Sequence, residues 1–173
     1  MAPIGIWQAA AVTRKELDQI AVLFRRHGRM VYRRCLRILG NPSDAEEATQ
    51  EVFIRVIRSK TDIEQRESVV QWLYRITTNH CLNIVRNRGR RSELKTDREA
   101  ELPRQRAETE APKLLLLRRL LADAEPQQAQ AAIYVHLDGL SQREAAELMG
   151  VSRRTVGNLL ERFTAWARAQ VDG

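Results

Sequence analysis

Asp44-Ala-Glu-Glu-Ala-Thr-Gln-Glu-Val-Phe-Ile-Arg-Val-Ile-Arg58 and Trp72-Leu-Tyr-Arg-Ile-Thr-Thr-Asn-His-Cys-Leu-Asn-Ile-Val-Arg-Asn-Arg-Gly-Arg-Arg91 are two helical segments of opposite character. In the first, Ala45, Ala48, Thr49, Val52, Phe53 and Val56 recur at the spacing of one helix face, leaving Glu46, Glu47, Gln50, Glu51 and Arg58 outside it. The second turns Trp72, Leu73, Ile76, Leu82 and Val85 inward, and Arg is its only charged residue type. Asn79 and Asn83 lie four apart and share its polar face, with Arg75, Arg86, Arg88, Arg90 and Arg91 around them. The acidic surface suits a protein partner, and the basic one suits phosphate and base edges.

The remaining composition is consistent with that division. The 173 residues are 43% apolar and 29% charged, ordinary globular values that allow one domain or two small ones. A formal net charge of +7 favours a polyanionic partner, because Lys and Arg release condensed counterions when they neutralise phosphates. The only cysteines, Cys35 and Cys81, both fall in apolar-periodic helical segments, without disulfide or metal spacing, so a reducing cytoplasm is the expected setting. His80 and Cys81 are adjacent and point about 100° apart on a helix, which is poor geometry for a shared metal. No metal or cofactor is expected. The amino terminus lacks a basic leader before an apolar core, and no run approaches the roughly 20 apolar residues that span a bilayer.

Met1 to Val12 shows no clear period and reads as a tail. From Thr13 a helical stripe runs through Leu17, Ile20, Ala21, Phe24, His27, Val31, Cys35 and Ile38. It leaves Arg25, Arg26, Arg29, Arg33, Arg34 and Arg37 on the other faces, solvated or facing DNA, and Gly28 is a point where the helix could divide. Gly40-Asn41-Pro42 stops one helix and starts the next, with Ser43 and Glu46 spaced for a capping box. Lys60 to Gln71 is polar and lacks helical periodicity. Ser92 to Pro112 mixes six acidic residues with Lys95, Arg98, Arg104 and Arg106 and carries Pro103 and Pro112, with too little apolar surface to fold alone, so it reads as a flexible linker.

After Pro112, Leu114, Leu115, Leu117, Leu120 and Leu121 give one helix, and Pro126 suits the first turn of another. Leu140-Ser-Gln-Arg-Glu-Ala-Ala-Glu-Leu-Met-Gly-Val-Ser-Arg-Arg-Thr-Val-Gly-Asn-Leu-Leu-Glu-Arg162 then has the pattern of a helix-turn-helix. Ser141 caps the first helix, Ala145 permits close approach, Gly150 makes the turn, Val151 packs inward and Ser152 caps the recognition helix. The fold class expected is all-α: two small helical domains over 13–91 and 113–171, joined by the linker 92–112.

The chain resembles bacterial sigma-70 family factors, in particular the two-domain extracytoplasmic-function class. The resemblance rests on Asp44, Ala45, Glu46, Gln50, Glu51 and Phe53, on Trp72-Leu73-Tyr74-Arg75-Ile76, Asn79 and Arg86, and on the helix-turn-helix. It implies that Glu47, Gln50 and Glu51 bind core RNA polymerase, although an acidic solvated face is the other reading of those residues. It also implies that Lys60 to Gln71 captures a flipped base of the minus-ten element, and that Asn79, Asn83, Arg86 and Arg88 contact promoter DNA there. Many relatives carry an aromatic where this chain has Val69. In the second domain the resemblance implies reading of the minus-thirty-five element. Where relatives carry Lys or Arg this chain has Gly157 and Leu159, and Phe163 stands where they have a small residue. The DNA contacts therefore fall to Arg153, Arg154, Thr155, Asn158 and Arg162. An anti-sigma factor is a further partner that the family often uses.

An operator-binding regulator would share the helix-turn-helix but would leave Asp44 to Arg91 without a purpose. An enzyme is disfavoured, since the chain has no His-Glu-x-x-His, Gly-rich phosphate loop or Gly-x-Ser-x-Gly.

Overall fold

The computed structural model describes residues 13–59, 68–94 and 112–172, and every regular element among them is helical. The tail before Thr13, most of the expected base-capturing loop and most of the linker lie outside the described residues.

α1 (Arg14–Leu39) is one uninterrupted helix. Gly28 does not divide it, because the Phe24 ring lies against that glycine, and Gly28 itself is buried. Val31, Cys35 and Ile38 lie on its inner side, as the periodicity predicts, and Leu23 and Leu39, outside the predicted stripe, are buried with them. Leu17 and Phe24, expected in the same stripe, remain 51% and 49% exposed, although the Phe24 ring meets Phe53 edge to face with centroids 4.9 Å apart. Arg34 departs in the other direction: it is buried, with 4% of its surface exposed.

Gly40, at φ 76°, ends α1 and donates its N–H to the Leu36 carbonyl. The cap of α2 (Pro42–Arg58) is Asn41 and not Ser43, because Pro42 already occupies the first turn. The extended backbone of Asn41 lets its side chain accept from the Ser43 and Asp44 N–H groups. Ala45, Ala48, Val52, Phe53 and Val56 are buried, and the two alanines let α1 and α2 approach closely.

α3 (Val69–Leu94) continues six residues past the helix end expected near Arg88 and packs on both preceding helices. Trp72, Leu73, Cys81, Leu82 and Val85 are buried in it. The buried hydroxyls of Thr49, Thr77 and Thr78 each donate to the carbonyl one turn earlier in their own helix, so none is a polar defect in the core. Cys35 and Cys81 meet as free thiols. A shared hydrogen bond draws Cys35 down from the ordinary thiol range, and that bond together with burial pushes Cys81 up.

α4 (Pro112–Asp123) lies along α3, and a Cβ at Gly89 would sit only 3.2 Å from the Ala122 Cβ. α5 (Pro126–Ala132) is capped by Glu125 and runs into a π turn over Ile133–Leu137. α6 (Gln142–Met149) opens with the Ser141–Glu144 capping box. Those hydrogen bonds from Ser141, side chain first, hold the Glu144 carboxyl below its usual range. Gly150, at φ 67°, makes the tight turn into α7 (Arg153–Asp172), whose Thr155 N–H is accepted by the Ser152 hydroxyl. α5 and α6 pack on α7, where Val156, Leu159, Leu160 and Phe163 are buried. Leu159 and Phe163, departures from the family pattern, are therefore core residues.

The two glycines of the helix-turn-helix respond oppositely to alanine. At Gly150 the left-handed backbone should make Gly150→Ala cost roughly 1–2 kcal/mol, although nothing crowds the added methyl. Gly157 is inside α7 with Gln142 Oε1 at 3.7 Å from the added carbon, so Gly157→Ala should gain up to about 1 kcal/mol. Urea unfolding of both variants checks the pair, and a stabilised Gly150→Ala would misassign the turn.

Candidate nucleic-acid and protein interfaces

α2 divides its residues cleanly between core and solvent. With Ala48, Val52 and Phe53 turned inward, Glu47 and Gln50 stand exposed and Glu51 is half-buried on the opposite side. Behind Glu47 and Glu51 lies His80 of α3, buried, with neither ring nitrogen hydrogen-bonded within the protein. Burial and then the Arg55 guanidinium push His80 below the usual histidine range, against the opposing pull of Glu51 and Glu47. A neutral imidazole thus backs the acidic face.

On α3 the two asparagines point outward as their spacing requires. Asn79 and Asn83 are exposed, Arg86 is half-buried and Arg88 is exposed. Arg88 donates to Asp44 at 2.7 Å, so one of the expected phosphate contacts ties the end of α3 to the start of α2. Asn79 accepts a hydrogen bond at 3.0 Å from Gln130 of α5. In the helix-turn-helix, Arg153, Arg154, Asn158 and Arg162 are exposed, the last three at four-residue intervals along one face of α7. Thr155 is half-buried, with its hydroxyl 2.9 Å from that of Ser152. The structure thus brings the expected residues out as three separate surfaces: the α2 acidic face, the α3 amide and arginine face, and the outer face of α7.

Sequence reasoning missed what lies between the helical units. Arg34 donates to the Thr78 hydroxyl at 3.0 and 2.6 Å and to Asp138 at 2.7 Å. Its guanidinium lies 3.4 Å from the centre of the Tyr74 ring, and Tyr74 stacks on Tyr134 of the π turn with centroids 6.1 Å apart. Burial raises the Tyr74 hydroxyl above its usual value, with Arg34 opposing and Asp138 reinforcing. Arg37 donates to the Leu137 carbonyl, and Arg118 of α4 donates to the Ile38 carbonyl. A signal for Arg34 was present: it lies three residues after Val31 and four before Ile38, on the apolar side of the wheel. Nothing in the local residue pattern indicates that Asp138 would meet it.

Comparison with known proteins follows the same division of the chain. Residues 23–91 match Sigma-70 region 2, and residues 114–162 match the region 4 description of the same family. The chain belongs to the sigma-70 family, in its extracytoplasmic-function branch. It is 36% identical over 149 residues to the ECF RNA polymerase sigma factor SigE of Mycolicibacterium smegmatis, an alignment covering 81% of this chain and 56% of that relative. SigM of Mycobacterium tuberculosis is 27% identical over 143 residues, covering 83% of this chain and 72% of SigM. This chain thus spans little more than half of the SigE relative. The structure of CnrH in complex with the cytosolic domain of CnrY superposes with a TM-score of 0.51 at 21% identity, over 90% of this chain and 89% of CnrH, a likeness of fold. Among the described residues there is no group of three metal-binding side chains, and no helix is long and apolar enough to cross a membrane.

His80 gives this site a pH signature. Its folded pKa lies below that of an ordinary histidine, so as pH falls below about 6.5 the unfolded chain takes up the proton first and stability declines. The urea midpoint should fall between pH 7 and pH 5.5, and should fall less in His80→Leu. Parallel declines in the two proteins would acquit His80.

Proposed function

We propose that this chain is a dissociable promoter-specificity subunit of RNA polymerase with no bond chemistry of its own, acting in the cytoplasm where polymerase and chromosome meet. One observation carries the reading: a single small chain exposes an acidic face on α2, an amide and arginine face on α3 and a helix-turn-helix, each on a separate surface. An operator-binding regulator needs only the last.

In this reading Glu47, Gln50 and Glu51 dock core polymerase. Asn79, Asn83, Arg86 and Arg88, with the segment before α3, engage the minus-ten element. Capturing a flipped base costs a few kcal/mol of stacking, which contacts along the opened strand offset. The unit built on α5 to α7 reads the minus-thirty-five element, with Arg153, Arg154, Asn158 and Arg162 directed at bases and phosphates. Thr155 already has a hydroxyl partner, so its contribution is to fix the start of α7 more than to reach DNA. The first unit extends from α1 to the end of α3, and the second from α4 onward. CnrH was solved in complex with the cytosolic domain of CnrY, and an anti-sigma protein is a further proposed partner here.

Two substitutions separate the surfaces. Glu47 is fully outside the core, so Glu47→Arg should change stability by no more than about 0.5 kcal/mol. It should nevertheless weaken retention of core polymerase in a pull-down, because like charges facing across an interface cost several kcal/mol. Arg154→Ala or Asn158→Ala should keep polymerase binding and lose about 1–3 kcal/mol of promoter affinity where a base contact goes. If neither the wild type nor any variant retains polymerase, the sigma reading fails. An operator-binding protein would show the Arg154 defect alone.

A further inference from the structure

The outer side of α1 carries a charge pattern that neither the core nor the three surfaces described above account for. Residues 19–43 contain six arginines and no aspartate or glutamate. Arg34 is the one turned inward, where Asp138 meets it. The other five, Arg25, Arg26, Arg29, Arg33 and Arg37, are exposed. Arg25, Arg29, Arg33 and Arg37 recur every four residues, so they form one row about 18 Å long with about 6 Å of helix axis between neighbours. Arg26 stands beside the row.

On a helix that faces only water such a row costs stability, because like charges four residues apart repel. Elsewhere the chain relieves its arginines with carboxylates: Arg143 pairs with Glu147 one turn on along α6, and Arg88 pairs with Asp44. In the row only Arg37 has such relief, at 3.7 Å from Asp138, and its side chain stays 56% exposed. Among the described residues no carboxylate comes within ion-pair distance of Arg25, Arg26, Arg29 or Arg33. Nor does the core use them, since Val31, Cys35 and Ile38 pack from the opposite side of the helix.

The chemistry of the row fits phosphate. All four of its cations are arginine, whose planar fork matches two oxygens of one phosphate, where lysine offers a point charge. One strand of a DNA duplex places a phosphate at about every 3.4 Å of axis, so a row of about 18 Å runs past about five of them. Between Gln19 and Asn41 there is no amide side chain to read a base edge, and evenly spaced guanidiniums on a straight helix suit a regular backbone.

We infer that the outer face of α1 is a sequence-independent docking surface for duplex DNA, with Arg25, Arg29 and Arg33 on the phosphates of one strand. The binding itself does not depend on the sigma reading. That the DNA so held is a promoter, kept in place while α3 and α7 read it, does rest on that reading.

The test uses the full chain without polymerase and fluorescence anisotropy on two labelled duplexes of unrelated sequence, over about 50–300 mM salt. Arg25→Gln/Arg29→Gln/Arg33→Gln should flatten the slope of log affinity against log salt by about 1 per residue replaced, and should weaken binding to both duplexes by the same factor. Arg58→Gln/Arg119→Gln/Arg168→Gln removes as much charge from exposed positions off the row and should flatten the slope by less than about 1 in all. An unchanged slope in the row variant overturns the proposal and leaves an acidic protein as the partner of this face. Equal changes in the two variants overturn it as well, because net charge would then suffice, and so does a wild type that binds neither duplex at the lowest salt. Circular dichroism reports folding, and if the triple variant is unfolded, Arg29→Gln alone should flatten the slope by about 1. Failure of the sigma reading shows separately, in a pull-down where core polymerase retains no wild type, and leaves the anisotropy result standing.

Discussion

A guanidinium buried on the apolar side of α1 is the constraint from which much of the tertiary arrangement follows. Arg34 cannot lose its charge, so every donor taken from water must find an acceptor inside. Thr78 accepts from two of its nitrogens, Asp138 accepts from a third, and the Tyr74 ring lies under its plane. These partners come from α3 and from the turn after α5, so satisfying one side chain of α1 fixes the register of α3 against it and the placement of the second unit. Thr78 can serve only because its own hydroxyl donates to Tyr74 of the preceding turn, leaving its lone pairs to Arg34.

The energetics of such a pair favour specificity over strength. Desolvating two ions costs several kcal/mol each, and mutual attraction with good hydrogen bonds roughly offsets that loss. The apolar contacts within each unit do not depend on it: Val31, Ile38, Val52 and Leu73 close one core, while Val156, Leu160 and Phe163 close the other. Each unit therefore has its own reason to stay folded when the polar contacts between them exchange for water. The leucine-rich α4 adds an apolar seam to those polar contacts, since it lies along α3 with Ala122 close to Gly89.

Much of this was legible in the sequence because helix periodicity reports burial directly. The stripes of α2 and α3, the buried Trp72, the capping of α6 and α7 and the positive φ at Gly150 all followed from residue type and spacing. The cap at Asn41 was misplaced to Ser43 because both are good caps, and only the position of Pro42 in the first turn separates them. Leu17 and Phe24 share the apolar period yet stay exposed, because a period cannot say where a neighbouring helix ends. Charge alone would place Arg34 outward. The acceptor that makes its burial possible is 104 residues away, and nothing local in either segment encodes that meeting.

The same chemistry that makes α3 suited to nucleic acid also makes it available to the rest of the chain. Asn79 presents an amide, which pairs equally well with another amide or with a base edge. An exposed amide bond of this kind contributes about 1 kcal/mol at most, so Gln130 can compete for Asn79 without blocking it permanently. Arg88, by contrast, bonds Asp44 within its own unit while its side chain stays half-exposed, and that contact does not involve the second unit. The face therefore has two kinds of polar residue, one tied locally and one shared across units. Only the shared kind links the folding of the chain on itself to its capacity for an outside partner.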